Sequence, residues 1–147
     1  FADERRVARP ADGEDVRAAV LRELYRHVAH AARRAGDQHA RSRADASAIV
    51  DLYADECHVE DPVGGALVQG KEAIRGFYAA TSPHLQVEIS GPICVAGSQC
   101  AVPLLAELTM KDQKRYIDVI DEFAFDDAGR ITSMRAFWNP AELRSKR

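Results

Sequence analysis

Cysteine is scarce and poorly placed for its usual structural roles. The chain holds three, Cys57, Cys94 and Cys100, an odd number with no Cys-x-x-Cys pair. That pattern argues against a disulfide framework or a zinc knuckle and points to a reducing, cytoplasmic setting. Long hydrophobic runs are missing too. No stretch of 18 apolar residues is available to cross a bilayer and no charged-then-apolar leader opens the chain, so no membrane partner is expected. Positive charge is not in excess either: the formal net charge is −3, which leaves no overall field to attract a phosphate backbone, and nucleic acid is not expected as a partner. The usual signatures of nucleotide binding and nucleophilic catalysis are also wanting. Gly64 to Gly70, GGALVQG, has neither a Walker ending nor dinucleotide spacing, no serine sits in a GxSxG elbow, and no cysteine carries a nucleophile signature. His27 and His30 lie three residues apart with no acidic neighbour to complete a ligand set, so no metal is expected.

What is present is an ordinary globular balance, 46% hydrophobic and 29% charged over 147 residues, enough for one core and one site. Residues 1–13 mix charge with Pro10 and Gly13 without periodicity and read as a flexible arm, leaving 14–147 as a single domain. Residues 1–44 contain ten Arg and no Lys against seven acidic residues, the pattern of a solvated helical face. Val16, Val20, Leu21, Leu24 and Val28 recur at spacings of three and four, which predicts a long first helix. Asp45 offers an N-cap to a second, whose Ile49, Val50 and Tyr53 turn inward. CHVED is then short and extended, PVGG turns, and KEAIRGFYAA returns to helical spacing. LQVEIS, CAVPLLAELTM, RYIDVIDEFAF and RITSMRAFW follow as strands, with turns at Lys111 to Gln113 and Asp126 to Gly129. Helices first and an antiparallel meander after is an α+β order, with helices covering one face of a curved sheet.

Two acidic residues fall where apolar ones belong. Alternation along RYIDVIDEFAF puts Ile117, Val119, Asp121, Phe123 and Phe125 on one face. The same alternation groups Cys57, Val59 and Asp61, with Pro62 holding Asp61 extended. An ionised carboxylate removed from water is costly unless paired, and the common response is a raised pKa and a neutral acid that donates a hydrogen bond. An inward Asp can also cap a helix or pair with a buried Arg, but two in one small domain favour a site. One ionised and one neutral carboxyl suit proton transfer beside a ketone: a base lifts the α-proton and a donor holds the enolate oxygen. Neither role needs a metal or an organic cofactor.

The stretches YADECHVEDPVGGALVQGKEAIRGFYAAT and YIDVIDEFAFDDAGRITSMRAFW resemble bacterial ketosteroid isomerase (steroid Δ-isomerase), within the wider NTF2-like and SnoaL-like superfamily, over roughly residues 45–140. The resemblance implies a curved antiparallel sheet with N-terminal helices enclosing an apolar cavity, and a homodimer through the exposed sheet face. It places Asp61, in VEDP, on the family's general base and Asp121, the second Asp of DVID, on its neutral oxyanion donor, a pairing already known as that family's hallmark. Tyr53 and Tyr78 match tyrosines that support the oxyanion hole. Trp138 matches an aromatic wall residue, with Met134 on its face and Phe77 and Leu104 as further substrate-binding lining, although ordinary core packing explains such residues equally well. One departure stands out. The family's first helix carries an oxyanion-donating tyrosine, and aligning the start of the second helix on Ala44-Asp45 puts Asp37 in its place. Tyr25, the one tyrosine in the helix, falls three turns earlier at about 1.5 Å per residue. Asp37, Tyr25 or a histidine is left to fill the role.

Three functions compete on this reading. One is an isomerase acting on a steroid or similar apolar ketone. Another is a polyketide cyclase or dehydratase using the same carboxylates, which the missing tyrosine and long first helix favour. The last is a ligand-binding module without turnover, which the inward acid pair disfavours because an apolar ligand needs no carboxylates.

Overall fold

A computed structural model describes residues 15–33 and 46–147, and of 27–33 the backbone alone. The arm at 1–13, Asp37, the Asp45 cap and the side chains of His27 and His30 lie outside the described residues.

Helix α1 (Val16–Arg33) forms where the three-four spacing predicts it, and buries Val20, Leu21, Leu24 and Tyr25. Asp15 precedes it and accepts the Arg17 N–H at 2.8 Å, satisfying one of the donors a helix start leaves open. A short helical segment, α2 (46–50), buries Ala46, Ile49 and Val50.

The chain leaves α2 sooner than its sequence suggests. Tyr53 opens strand β1 (Tyr53–Glu60) and is not part of the second helix, and the Leu52 carbonyl already accepts the Ile131 N–H at 2.9 Å. The expected strand at CHVED is thus four residues longer at its start. A register irregularity between Tyr53 and His58 leaves Asp55 and Glu56 both exposed, and this bulge breaks the alternation that would have revealed the strand. Strand β2 (Leu67–Gln69), which the sequence pattern did not announce, pairs with β1.

Helix α3 (Lys71–Thr81) buries Ile74 and Tyr78, and a 3-10 turn at Ser82–His84 leads into β3 (Leu85–Ile89). Strands β4 (Cys94–Ala96), β5 (Gln99–Met110), β6 (Gln113–Phe125) and β7 (Ile131–Phe137) complete the sheet. Its order is β2-β1-β7-β6-β5-β3, with β4 on β5 and β1 parallel to β7. The β5–β6 hairpin closes through Lys111 and Asp112, at φ of 48° and 62°. Two left-handed residues are what a tight turn needs to match the twist of its strands. In the β6–β7 turn Gly129 takes φ of 78°, and the Asp126 side chain accepts from the Ala128 and Arg130 N–H groups.

The expected alternation on β6 holds: Ile117, Val119, Asp121, Phe123 and Phe125 are all buried, while Asp118 and Ile120 on the other face are exposed. The inner face joins α1, α2 and α3 in a core centred on Leu21, Leu24, Ile49, Tyr53, Val59, Ile74 and Phe123. Register irregularities at β1–β7 and between Ala124 and Phe125 on β6 interrupt the regular pairing of this open α+β sheet.

Candidate active site

The inner face and the core do not meet everywhere. Between β3, β5, β6 and β7 on one side and the end of α3 on the other lies a cavity of about 350 Å³, within the size range of small-molecule sites. Its walls are mostly aliphatic: Leu85, Val87, Leu104, Ala106, Leu108, Ile117, Val119 and Ala136, with Phe77 and Ala80 from α3. Asp61, Asp121 and Trp138 line it as well.

Asp121 is held in place by the β-ladder, opposite Val102 on β5 and Ala136 on β7, and is 7% exposed. The Tyr25 hydroxyl donates to its Oδ2 at 2.5 Å. Burial is the main influence on this carboxyl and raises its pKa to about 7; the Tyr25 hydrogen bond pulls the other way, and the nearby charge of Asp61 adds to the rise. Tyr25 in turn is pushed well above an ordinary phenol, chiefly by burial and then by Asp121, so it remains a donor.

Asp61 lies just past β1, before a cis peptide bond to Pro62. The loop that follows is pinned twice. Gly64 N–H donates to Glu60 Oε1 at 2.9 Å, and Val63 N–H donates to the Ala136 carbonyl at 2.8 Å. Trp138 Nε1 donates to Asp61 Oδ1 at 2.6 Å. Burial raises the Asp61 pKa and this hydrogen bond lowers it. Asp61 is only partly buried and Asp121 almost wholly so. Asp61 is therefore the first of the two to ionise, and its charge then opposes ionisation of the other.

Tyr53 and Tyr78 bond to each other, hydroxyl to hydroxyl at 2.8 Å, behind the cavity wall and near enough to Asp121 to feel its charge. Phe77, Leu104 and Trp138 line the cavity as the sequence suggests. Met134 does not. It is buried in the core, paired with Val59 and Phe123, and Ala136, two residues nearer the cavity on the same face, takes the lining position.

Of the three candidates left open for the first-helix role, Tyr25 reaches Asp121. Asp37 and the side chains of the first helix's histidines lie outside the described residues, and the position of Tyr25 is set by packing of α1, with its ring edge-on to Phe123 at 6.2 Å. The lining residues Ile117, Val119, Ala106 and Leu108 were also missed. Their shared parity with Asp121 and Leu104 was the available signal.

Residues 32–134 match the SnoaL-like domain family model, and the chain belongs to that family. A Steroid Delta-isomerase of Nocardioides simplex is 40% identical over 98 residues, spanning 66% of this chain and 79% of that protein. Among solved structures, the epoxide hydrolase/cyclase-like enzyme SalBIII, described in pyran ring formation in the polyether salinomycin, superposes with TM-score 0.73 at 25% identity, covering 88% of this chain and 95% of its own. RV0760c from Mycobacterium tuberculosis shares the fold, with TM-score 0.70 at 19% identity over 88% of this chain and 99% of its own. The chain is thus a ketosteroid isomerase-like member of the NTF2-like and SnoaL-like superfamily.

Proposed function

We propose that the protein is a cofactor-free isomerase that moves a carbon–carbon double bond into conjugation with a ketone on a steroid-like apolar framework. The observation that carries this reading is the pair of carboxyls in one apolar cavity, placed in environments that ionise them at different pH. Ionised Asp61 takes the proton from the carbon between the carbonyl and the double bond, and the electron pair moves onto the carbonyl oxygen. Neutral Asp121, accepting from Tyr25, donates to that developing oxyanion. Asp61 then returns the same proton to the far end of the dienolate, so atoms and charge balance with no added reagent. The identity to the Nocardioides simplex isomerase supports this reading.

A second reading, a cyclase-type tailoring enzyme on a polyketide framework, draws support from the likeness to SalBIII over nearly the whole of that chain. An assay separates the two. Incubation with a Δ5-3-ketosteroid should produce the conjugated isomer, followed by its ultraviolet absorbance, and titration with a tetracyclic phenol should quench Trp138, the single tryptophan and a cavity residue. Saturable binding without isomerisation would move the assignment to the cyclase reading.

The outer sheet face suggests the assembly. Ile120 and Phe137 are opposite each other in register and both exposed, an apolar pair that a second copy of the chain would cover. We expect sedimentation equilibrium to give twice the 16.2 kDa chain mass, and a strictly monomeric protein at micromolar concentration would refute the dimer.

A further inference from the structure

We infer that His84 is a specificity residue that takes a second oxygen at the end of the substrate opposite the reacting carbonyl. This rests on the isomerase reading for the orientation of the ligand and adds to it a requirement on the ligand's far end.

The cavity is polar at one end and apolar along its length. Leu85 opens β3 and pairs with Leu108, which lies six residues along β5 from Val102, the partner of Asp121. At about 3.3 Å per residue the two ends are roughly 20 Å apart along the curved sheet. Between them Val87, Leu104, Ala106, Ile117 and Val119 offer no hydrogen bond. A polar group midway along the ligand would lose its water and gain no partner, so oxygens belong at the ends.

Five lining residues carry hydrogen-bonding side chains: Asp61, Thr81, His84, Asp121 and Trp138. Trp138 and Asp61 bond to each other, Asp121 accepts from Tyr25, and Thr81 Oγ1 donates to the Phe77 carbonyl at 2.9 Å. Among the described residues the His84 ring makes no hydrogen bond or ion pair. It sits at the end of the 3-10 turn, exposed to solvent yet part of the wall, beside Leu85 at the end remote from Asp121. A neutral imidazole offers one donor and one acceptor, so it can meet either a ketone or a hydroxyl. The ligand class that fits is a rigid, elongated, apolar polycycle with an oxygen at each end.

Two tetracyclic phenols test the inference without relying on turnover: one with a hydroxyl at the end remote from the phenol, the other with hydrogen there. Dissociation constants are read from Trp138 fluorescence for the parent, His84→Ala and His84→Gln. The parent should prefer the hydroxylated phenol about fivefold, the size of effect one hydrogen bond at a partly solvated site supports. His84→Ala should reduce the preference below twofold by weakening that ligand alone, and His84→Gln, which keeps a donor and an acceptor, should restore most of it. An unchanged preference in His84→Ala, or equal weakening of both phenols, would overturn the inference. A His84-dependent preference in a protein that does not isomerise ketosteroids would keep the inference and remove the isomerase reading. No saturable signal with either phenol would remove the steroid-sized occupant and this inference with it.

Discussion

Asp61→Asn should lower turnover of a Δ5-3-ketosteroid by about 10²–10⁴-fold, the usual contribution of a positioned base, while changing the affinity for a tetracyclic phenol less than about threefold. The asymmetry follows from the geometry. An amide oxygen still accepts from Trp138 Nε1, so the shape of the cavity mouth is kept, and what disappears is the lone pair basic enough to hold a proton. A loss in the chemical step with binding preserved marks an interaction used in the transition state. Trp138→Phe should act through the same carboxylate. Its N–H lowers the Asp61 pKa against the burial that raises it, so removing it raises that pKa and moves the acid limb of kcat/KM to higher pH. The variant should lose more activity at pH 5 than at pH 8, and a pH profile parallel to the parent's would show that Trp138 is only wall. Equal rates for Asp61→Asn and the parent would remove Asp61 from the mechanism.

The legible parts of this molecule are those where one face of an element is wet and the other dry. Strand β6 is the clearest case: from Ile117 to Phe125 every second residue is buried and those between are not, so the misplaced carboxyl of Asp121 is visible from the sequence alone. The α1 stripe and α3 are read the same way at helical period. Strand β1 is obscured at its start because the bulge between Tyr53 and His58 exposes two successive residues, and β2 and β4, at three residues each, are too short to establish a period. The site was legible as a pair of acids and illegible as a network. Which tyrosine meets Asp121 depends on how α1 lies across the sheet, a packing outcome over a sequence separation of 96 residues that no local spacing encodes. Met134 shows the complementary limit, since parity gives the face of a residue but not its depth. On β7 the cavity begins at Ala136 and the core lies below it.

Asp121→Asn and Asp121→Ala should part company in both activity and stability. Asn keeps an oxygen to accept from Tyr25 and an N–H to donate into the cavity, so its activity should remain within about tenfold of the parent. Ala removes the donor to the oxyanion and should cost about 10²–10³-fold. Stability separates them again, with a sign set by linkage. Burial raises the Asp121 pKa from 3.8 to about 7 in the folded state, so between those values the folded protein binds more protons than the unfolded chain. Folding stability therefore falls as pH rises through that window, is untouched by this group below it, and carries the full cost above it. A tenfold change in an ionisation equilibrium is worth about 1.4 kcal/mol, which puts the full cost at roughly 4 kcal/mol. Asn carries no such cost: it should be more stable than the parent at pH 8 and lose that advantage near pH 4. Ala also escapes the charge but leaves the buried Tyr25 hydroxyl without its acceptor, a loss of about 1–3 kcal/mol that persists at both pH values. Thermal unfolding of the three proteins across this range, with the Asp121 carboxyl titrated by NMR, is the decisive measurement. A carboxyl titrating near pH 4, with equal activity losses in the two variants, would make Asp121 an ionised structural group and leave the oxyanion without its donor.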